Sequence, residues 1–291
     1  MEGAGGIGSL REEFHLRKLG FKYSNPEHFY SCQWRWPAWV YILIRVFLSV
    51  YTIGALITIW AMEPSYTILR FLTIWTYFML TLHLIVAAII AIFHQFQRSK
   101  TDTSIKEEHE CDYKSRENLG YVAEENPKPT EDQNIGSKKC GNELNDNITW
   151  YMKLSWLLSD IVHVFSIIVT TIYFGAIYPT LTVTESQLFN DLNMHAFNTV
   201  FVLIDIAISA RPVRFLHFLY PIIYGLVYTA FSLVLYGASG TVIYNVLDYS
   251  QPLYPSITVP GLCFIVIPLL QLVFFGIYLL KHYIFCKVYF E

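Results

Sequence analysis

Residues 192–214 read LNMHAFNTVFVLIDIAISARPVR, and the reading of this stretch decides the fold. Taken as a helix, 192–210 is apolar apart from a few groups that are costly to keep in lipid, above all His195, Asn198 and Asp205. At about 100° per residue Asn198 and Asp205 fall nearly on one line and His195 lies roughly 80° away, so one arc of the helix carries all three. That arc has to face protein. Ionisable groups inside a bilayer are rare and mark a buried pair, a site or a pathway, so the stretch predicts a membrane helix with a functional inner face.

Composition extends the reading to the whole chain. Of its 291 residues 54% are hydrophobic and only 15% charged, with 21 Phe and 21 Tyr. Soluble domains are usually about one quarter charged, so this is an all-α, polytopic membrane protein. Six stretches reach the roughly 20 residues that about 30 Å of hydrocarbon requires. They are 37–60, 71–93, 154–177, 192–210, 215–236 and 260–280, and together they predict a bundle of six transmembrane helices. The fourth and fifth are separated only by Arg211-Pro212-Val213-Arg214, read as a tight polar turn of an antiparallel hairpin.

The formal charge of -3 hides a segregation that sets orientation. Arg11, Arg17, Lys18, Lys22 and Arg35 precede the first helix; Arg98, Lys100, Lys138, Lys139 and Lys153 flank the second loop; Lys281 and Lys287 lie in the tail. The other side carries only Arg70, which places both termini in the cytosol. The membrane expected is the plasma membrane or the endoplasmic reticulum. The organisation is a cytosolic segment 1–36, helices one and two over 37–93, a loop 94–149, helices three to six over 150–280, and a tail 281–291. The loop is rich in Glu, Lys and Pro and is read as mostly disordered. Its sequon Asn147-Ile148-Thr149 falls on the cytosolic side, away from glycosylation. Residues 1–35 lack the apolar core of a secretory signal. The five cysteines, Cys32, Cys111, Cys140, Cys263 and Cys286, form neither a disulfide framework nor a zinc motif. The partners this implies are membrane lipids and other membrane proteins, with no nucleic acid and no cofactor.

Depth along the helices sorts the polar residues into two levels. Thr73, Thr76 and His83 have the same spacing as His195, Asn198 and Asp205, so the second and fourth helices each offer an outer level and another about 15 Å deeper. The deeper level gathers Arg45, His83, Asp160, His163 and Asp205, and predicts a buried cluster in which Arg45 pairs with Asp160 and Asp205. Such pairing fixes how helices pack, whereas a metal held by His83, His163 and the carboxylates is the sharper alternative. At the outer level Thr73 and His195 form a nucleophile and base for acyl transfer if they approach within about 3 Å, with Asn198 in support. A helix-capping Thr and a packing His are the plainer reading of the same residues.

Several of these residues also carry a resemblance. Asn193-Met194-His195-Ala196-Phe197-Asn198, Leu203-Ile204-Asp205, Arg211-Pro212-Val213-Arg214, His217, Tyr220-Pro221, Gly225, Tyr228 and the run from Ile243-Tyr244 to Leu247-Asp248-Tyr249 resemble the rolling stone proteins of invertebrates. Ser31-Cys32-Gln33-Trp34 and Arg70-Phe71-Leu72-Thr73 agree, so the resemblance covers most of the chain outside 94–149. It implies a multipass protein acting in cell-surface or membrane-fusion processes such as myoblast fusion. More distantly, that family is similar to androgen-induced hydrolases of fatty acid esters of hydroxy fatty acids, with an aromatic-Leu-Thr nucleophile motif and an Asn-His-x-Met-His motif. Phe71-Leu72-Thr73 matches the first and Asn193-Met194-His195 part of the second, the earlier His being absent. This implies an alternative, an intramembrane lipid-ester hydrolase with Thr73 as nucleophile and His195 as base.

Overall fold

The computed structural model describes residues 13–62, 64–119, 148–180, 188 and 190–290, with backbone alone for 102–119. Six helices form the bundle: α1 (Ala38–Met62), α2 (Leu72–Leu119), α3 (Trp150–Thr180), α4 (Leu192–Ile208), α5 (Phe215–Ser239) and α6 (Leu253–Phe290). Five are long and apolar enough to cross a membrane, and α4 is apolar but shorter.

The helix ends follow local chemistry. α1 starts directly after Pro37, whose missing N–H costs nothing at a helix start. α5 ends at Gly240, which adopts φ 67°, a left-handed conformation natural to Gly, and returns its amide to the Tyr236 carbonyl at 2.7 Å. Pro260 sits inside α6 and is followed by a wide π turn over Leu262–Val266, which absorbs the lost backbone bond. α2 runs to Leu119, well into the segment expected to be disordered. Residues 101–119 contain neither Gly nor Pro, and a helix already formed in the membrane extends outward without paying for a new nucleus. The remainder of that segment, 120–147 with Cys140 and Asn147, lies outside the described residues, as do residues 1–12; Cys32, Cys263 and Cys286 are free thiols.

α3 is the central helix, packed along α2 and touching α4, α5 and α6. Leu80 and Leu84 of α2, Val162 and Val164 of α3, Val202 of α4 and Ile267 of α6 make a fully buried core. Lipid tails are as apolar as these side chains, so close packing and polar pairing, rather than escape from water, hold the helices together. Close packing is evident at Gly225, where a Cβ would come within 3.1 Å of the Phe165 ring.

The 211–214 turn is not the solvated hairpin its sequence suggests. The chain becomes extended at Ser209, and Arg211 and Arg214 are only 4% and 7% exposed. The reason is a long-range contact: residues 13–36 fold back over this end as a strap. Gln33 N–H donates to the Ile208 carbonyl at 2.8 Å, Ala210 N–H to Ser31 at 3.4 Å, and the Trp34 indole to Ala207 at 2.9 Å. Arg214 donates to the carbonyls of Lys18 at 3.3 Å, Gly20 at 2.6 Å and Lys22 at 2.5 Å, with its guanidinium 4.8 Å over the Trp156 ring. Lys281 Nζ reaches the Ile206 carbonyl at 2.8 Å and also bonds Ser209, satisfying carbonyls left open where α4 ends.

Candidate functional site

All three residues of the polar arc are buried, His195 at 7% exposure and Asn198 and Asp205 at 0%. Asp205 is the hub of the deeper level. Its Oδ1 accepts from Arg45 Nη1, and its Oδ2 accepts from Arg211 Nη2 at 2.7 Å, with His163 Nε2 at 3.0 Å and His83 Nε2 at 3.3 Å. Four helices or their connections therefore converge on one carboxylate. Arg45 is held from behind by the Tyr41 hydroxyl at 2.9 Å, and Arg211 donates to Ser155 Oγ at 3.1 Å.

The expected pairing of Arg45 with Asp160 is corrected. Asp160 Oδ2 instead meets His217 Nδ1 at 2.6 Å, forming a second buried couple under Trp156 and Phe21. Arg211, not Asp160, completes the Asp205 hub. Sequence reasoning read Arg211 and Arg214 only as part of a tight polar turn, and gave His217 no place in the buried cluster. Two arginines within four residues beside the small Ser209 and Ala210 were the available signal.

His83, His163 and Asp205 place possible metal ligands within 4.8 Å of one another. The donor set argues for an ion-pair hub instead. Both oxygens of Asp205 already accept from a guanidinium, so a divalent cation here would face two fixed positive charges.

The outer level is built around an apolar cavity of about 90 Å³ among α2, α3, α4, α5 and α6. Thr73 and His195 both line it, together with Tyr173, Tyr228 and Tyr244. Three π turns, Tyr173–Ile177, Leu192–Ala196 and Leu262–Val266, all supply wall residues: Tyr173 and Ile177, His195, and Leu262 and Cys263. Such turns place one extra residue in a helix and redirect its side chains, and they gather at functional sites. The His195 ring lies flat on Tyr173, with centroids 3.5 Å apart and planes at 3°, and its buried Nδ1 has no hydrogen-bond partner among the described residues.

Thr73 is the second residue of α2. Beside it the Tyr244 hydroxyl accepts from the Leu72 amide at 3.1 Å. Burial raises the Tyr244 phenol above its ordinary pKa, while the bond from Leu72 acts in the opposite direction. Thr73 and His195 share the cavity without a direct hydrogen bond between them among the described residues. Asn198 turns away from His195 and accepts from Ser166 Oγ at 2.7 Å, joining α4 to α3. The Thr170 and Thr199 hydroxyls, 2.8 Å apart, continue that seam, and Thr170 also bonds the His195 carbonyl. An apolar pocket with a few polar groups at one wall suits a chain-like ligand carrying a single hydrogen-bonding group.

The rolling stone family, described as protein rolling stone, matches residues 138–290, more than half of the chain. "Protein rolling stone" of Drosophila melanogaster is 22% identical over 286 residues, which covers 94% of this chain and 90% of that protein. No solved structure matches.

Proposed function

Because the chain belongs to the rolling stone family, we propose that this multipass membrane protein acts at the cell surface in membrane-fusion processes such as myoblast fusion. The family match is the observation that carries this reading. The basic end, with the strap and the 211–214 segment, lies in the cytosol, and the tyrosine-lined end around His195 lies outside; the near absence of Lys and Arg from the second end supports this orientation. The Asp205 hub supports a scaffold role, since a carboxylate satisfied from several elements fixes helix packing while the exposed apolar faces remain for lipid and protein contacts. The test is rescue of cell fusion in myoblasts lacking their own rolling stone protein, with surface display scored separately. Restored fusion is the expected result. Full surface display with an unchanged fusion index would reject the proposal.

A second reading, hydrolysis of lipid esters such as fatty acid esters of hydroxy fatty acids, is favoured by Thr73 and His195 lining one cavity. Purified protein would release fatty acid from a branched ester, and Thr73→Ala and His195→Ala would each abolish release while leaving the melting temperature within a few degrees. Absence of turnover by folded wild-type protein rejects hydrolysis of those esters.

A further inference from the structure

A second cavity, of about 170 Å³, lies at the basic end between the strap and the emerging turns of α2. Its wall carries Glu27, Arg98 and His94 and the rings of Tyr30, Trp34 and Trp36. Glu27 and Arg98 are both exposed, and no ion pair joins them, so each charge is open to whatever enters. The rings that share this wall are held in place in advance. His94 stacks flat on Tyr30, with centroids 4.1 Å apart and planes at 7°, and its Nε2 lies 3.3 Å from the Tyr151 hydroxyl; the Trp34 indole is fixed on the Ala207 carbonyl. Trp36 and Trp39, at 46% and 67% exposure, mark the depth at which hydrocarbon gives way to headgroups.

An anion and a cation that do not pair with each other, with aromatic rings lining the same cavity, complement a ligand that itself carries both charges. A phosphodiester suits the Arg98 guanidinium, and a quaternary or primary ammonium suits the Glu27 carboxylate and the ring faces. An anionic headgroup would meet Glu27, and a purely cationic one would meet Arg98. We propose that this cavity binds the zwitterionic headgroup of a phosphatidylcholine or phosphatidylethanolamine.

The test is lipid binding to the full chain in detergent, read by native mass spectrometry, with dioleoyl phosphatidylcholine, phosphatidylglycerol and diacylglycerol as probes. Phosphatidylcholine should bind at least about tenfold more tightly than diacylglycerol, and Arg98→Gln and Glu27→Gln should each weaken it about fivefold, typical of one exposed charged contact. Glu27→Gln should at the same time improve phosphatidylglycerol, a reversal that general loss of structure does not produce. Arg98→Lys, which keeps the charge, should retain most of the binding and guards against misfolding of Arg98→Gln. Equal binding of diacylglycerol, or phosphatidylcholine binding unmoved by both neutral variants, would overturn the proposal. Soluble phosphocholine binding as tightly as the lipid would overturn the membrane source and assign the site to the free headgroup.

Discussion

Asp205→Asn tests the hub directly, because it removes one negative charge and almost no volume. In the wild type, Arg45 and Arg211 share that carboxylate, and Asp205 is 0% exposed. The substitution leaves two guanidiniums in a low-dielectric interior with only Tyr41, Ser155, His83 and the one remaining amide oxygen as neutral partners. Breaking one buried ion pair costs about 3–5 kcal/mol. Here two cations share one anion, so their losses are coupled rather than summed, and about 4–6 kcal/mol is the working figure. At about 2–4 °C per kcal/mol, the protein should melt about 8–24 °C lower. The assay is thermal unfolding in detergent followed by fluorescence-detected size exclusion. A second arm replaces the whole set, Asp205→Leu with Arg45→Met and Arg211→Met, and should recover most of the loss, since apolar groups of similar volume pack where a buried ion set stood. An Asp205→Asn protein that melts with the wild type would refute the hub as the organiser of the bundle. So would a triple variant less stable than Asp205→Asn itself, because the loss would then come from shape and not from uncompensated charge.

Other outcomes follow from single contacts. Gly225→Ala should destabilise by about 1–2 kcal/mol, because its Cβ would sit 3.1 Å from the Phe165 ring, and Phe165→Leu in the same chain should restore the melting temperature. Arg214→Ala should free the strap from three carbonyls, so that limited trypsin digestion cuts at Lys18 and Lys22 before the bundle unfolds. His28 supplies a pH dependence: burial lowers its pKa from 6.5, outweighing the opposing pull of Glu27, while its Nδ1 meets the Tyr23 hydroxyl at 2.6 Å. The unfolded strap therefore binds the proton more readily than the docked one, so strap stability is full above about pH 6.5 and falls as the pH drops toward the lowered folded value. Hydrogen exchange over 20–30 should accelerate on acidification in the wild type and lose that dependence in His28→Gln.

Five of the expected spans were legible because hydropathy acts locally along the chain; the stretch expected as another, α4, is apolar but shorter. The polar arc was legible for the same reason: a period of 3.6 residues carries His195, Asn198 and Asp205 to one side whatever the helix packs against. Matching depths also brought Arg45, His83 and His163 to the level of Asp205. What could not be read was which partner each group takes at a given depth. Asp160 and Asp205 sit at similar levels, and only the rotation of α3 sends Asp160 to His217 and leaves Asp205 to Arg211. The 211–214 segment was read as a tight polar turn because its own composition is polar, and nothing nearby announces that residues 13–36, roughly two hundred positions earlier, cover it. The Tyr173 face of the outer cavity depends on π turns, whose single extra residue leaves no compositional trace.

The Arg45–Asp205 pair joins groups 160 residues apart, and α1 is made long before α4. At about 5–20 residues per second of synthesis, Arg45 enters the membrane roughly 8–30 s before its counter-ion exists. During that interval the nascent first helix is an apolar segment carrying a lone cation. Held at the translocon, or escorted by an insertion factor until α4 arrives, it keeps its register; released early into lipid, it would slide until Arg45 reached water. A chain stopped anywhere between α1 and α4 therefore carries in its first helix an unpaired charge that the finished protein does not have.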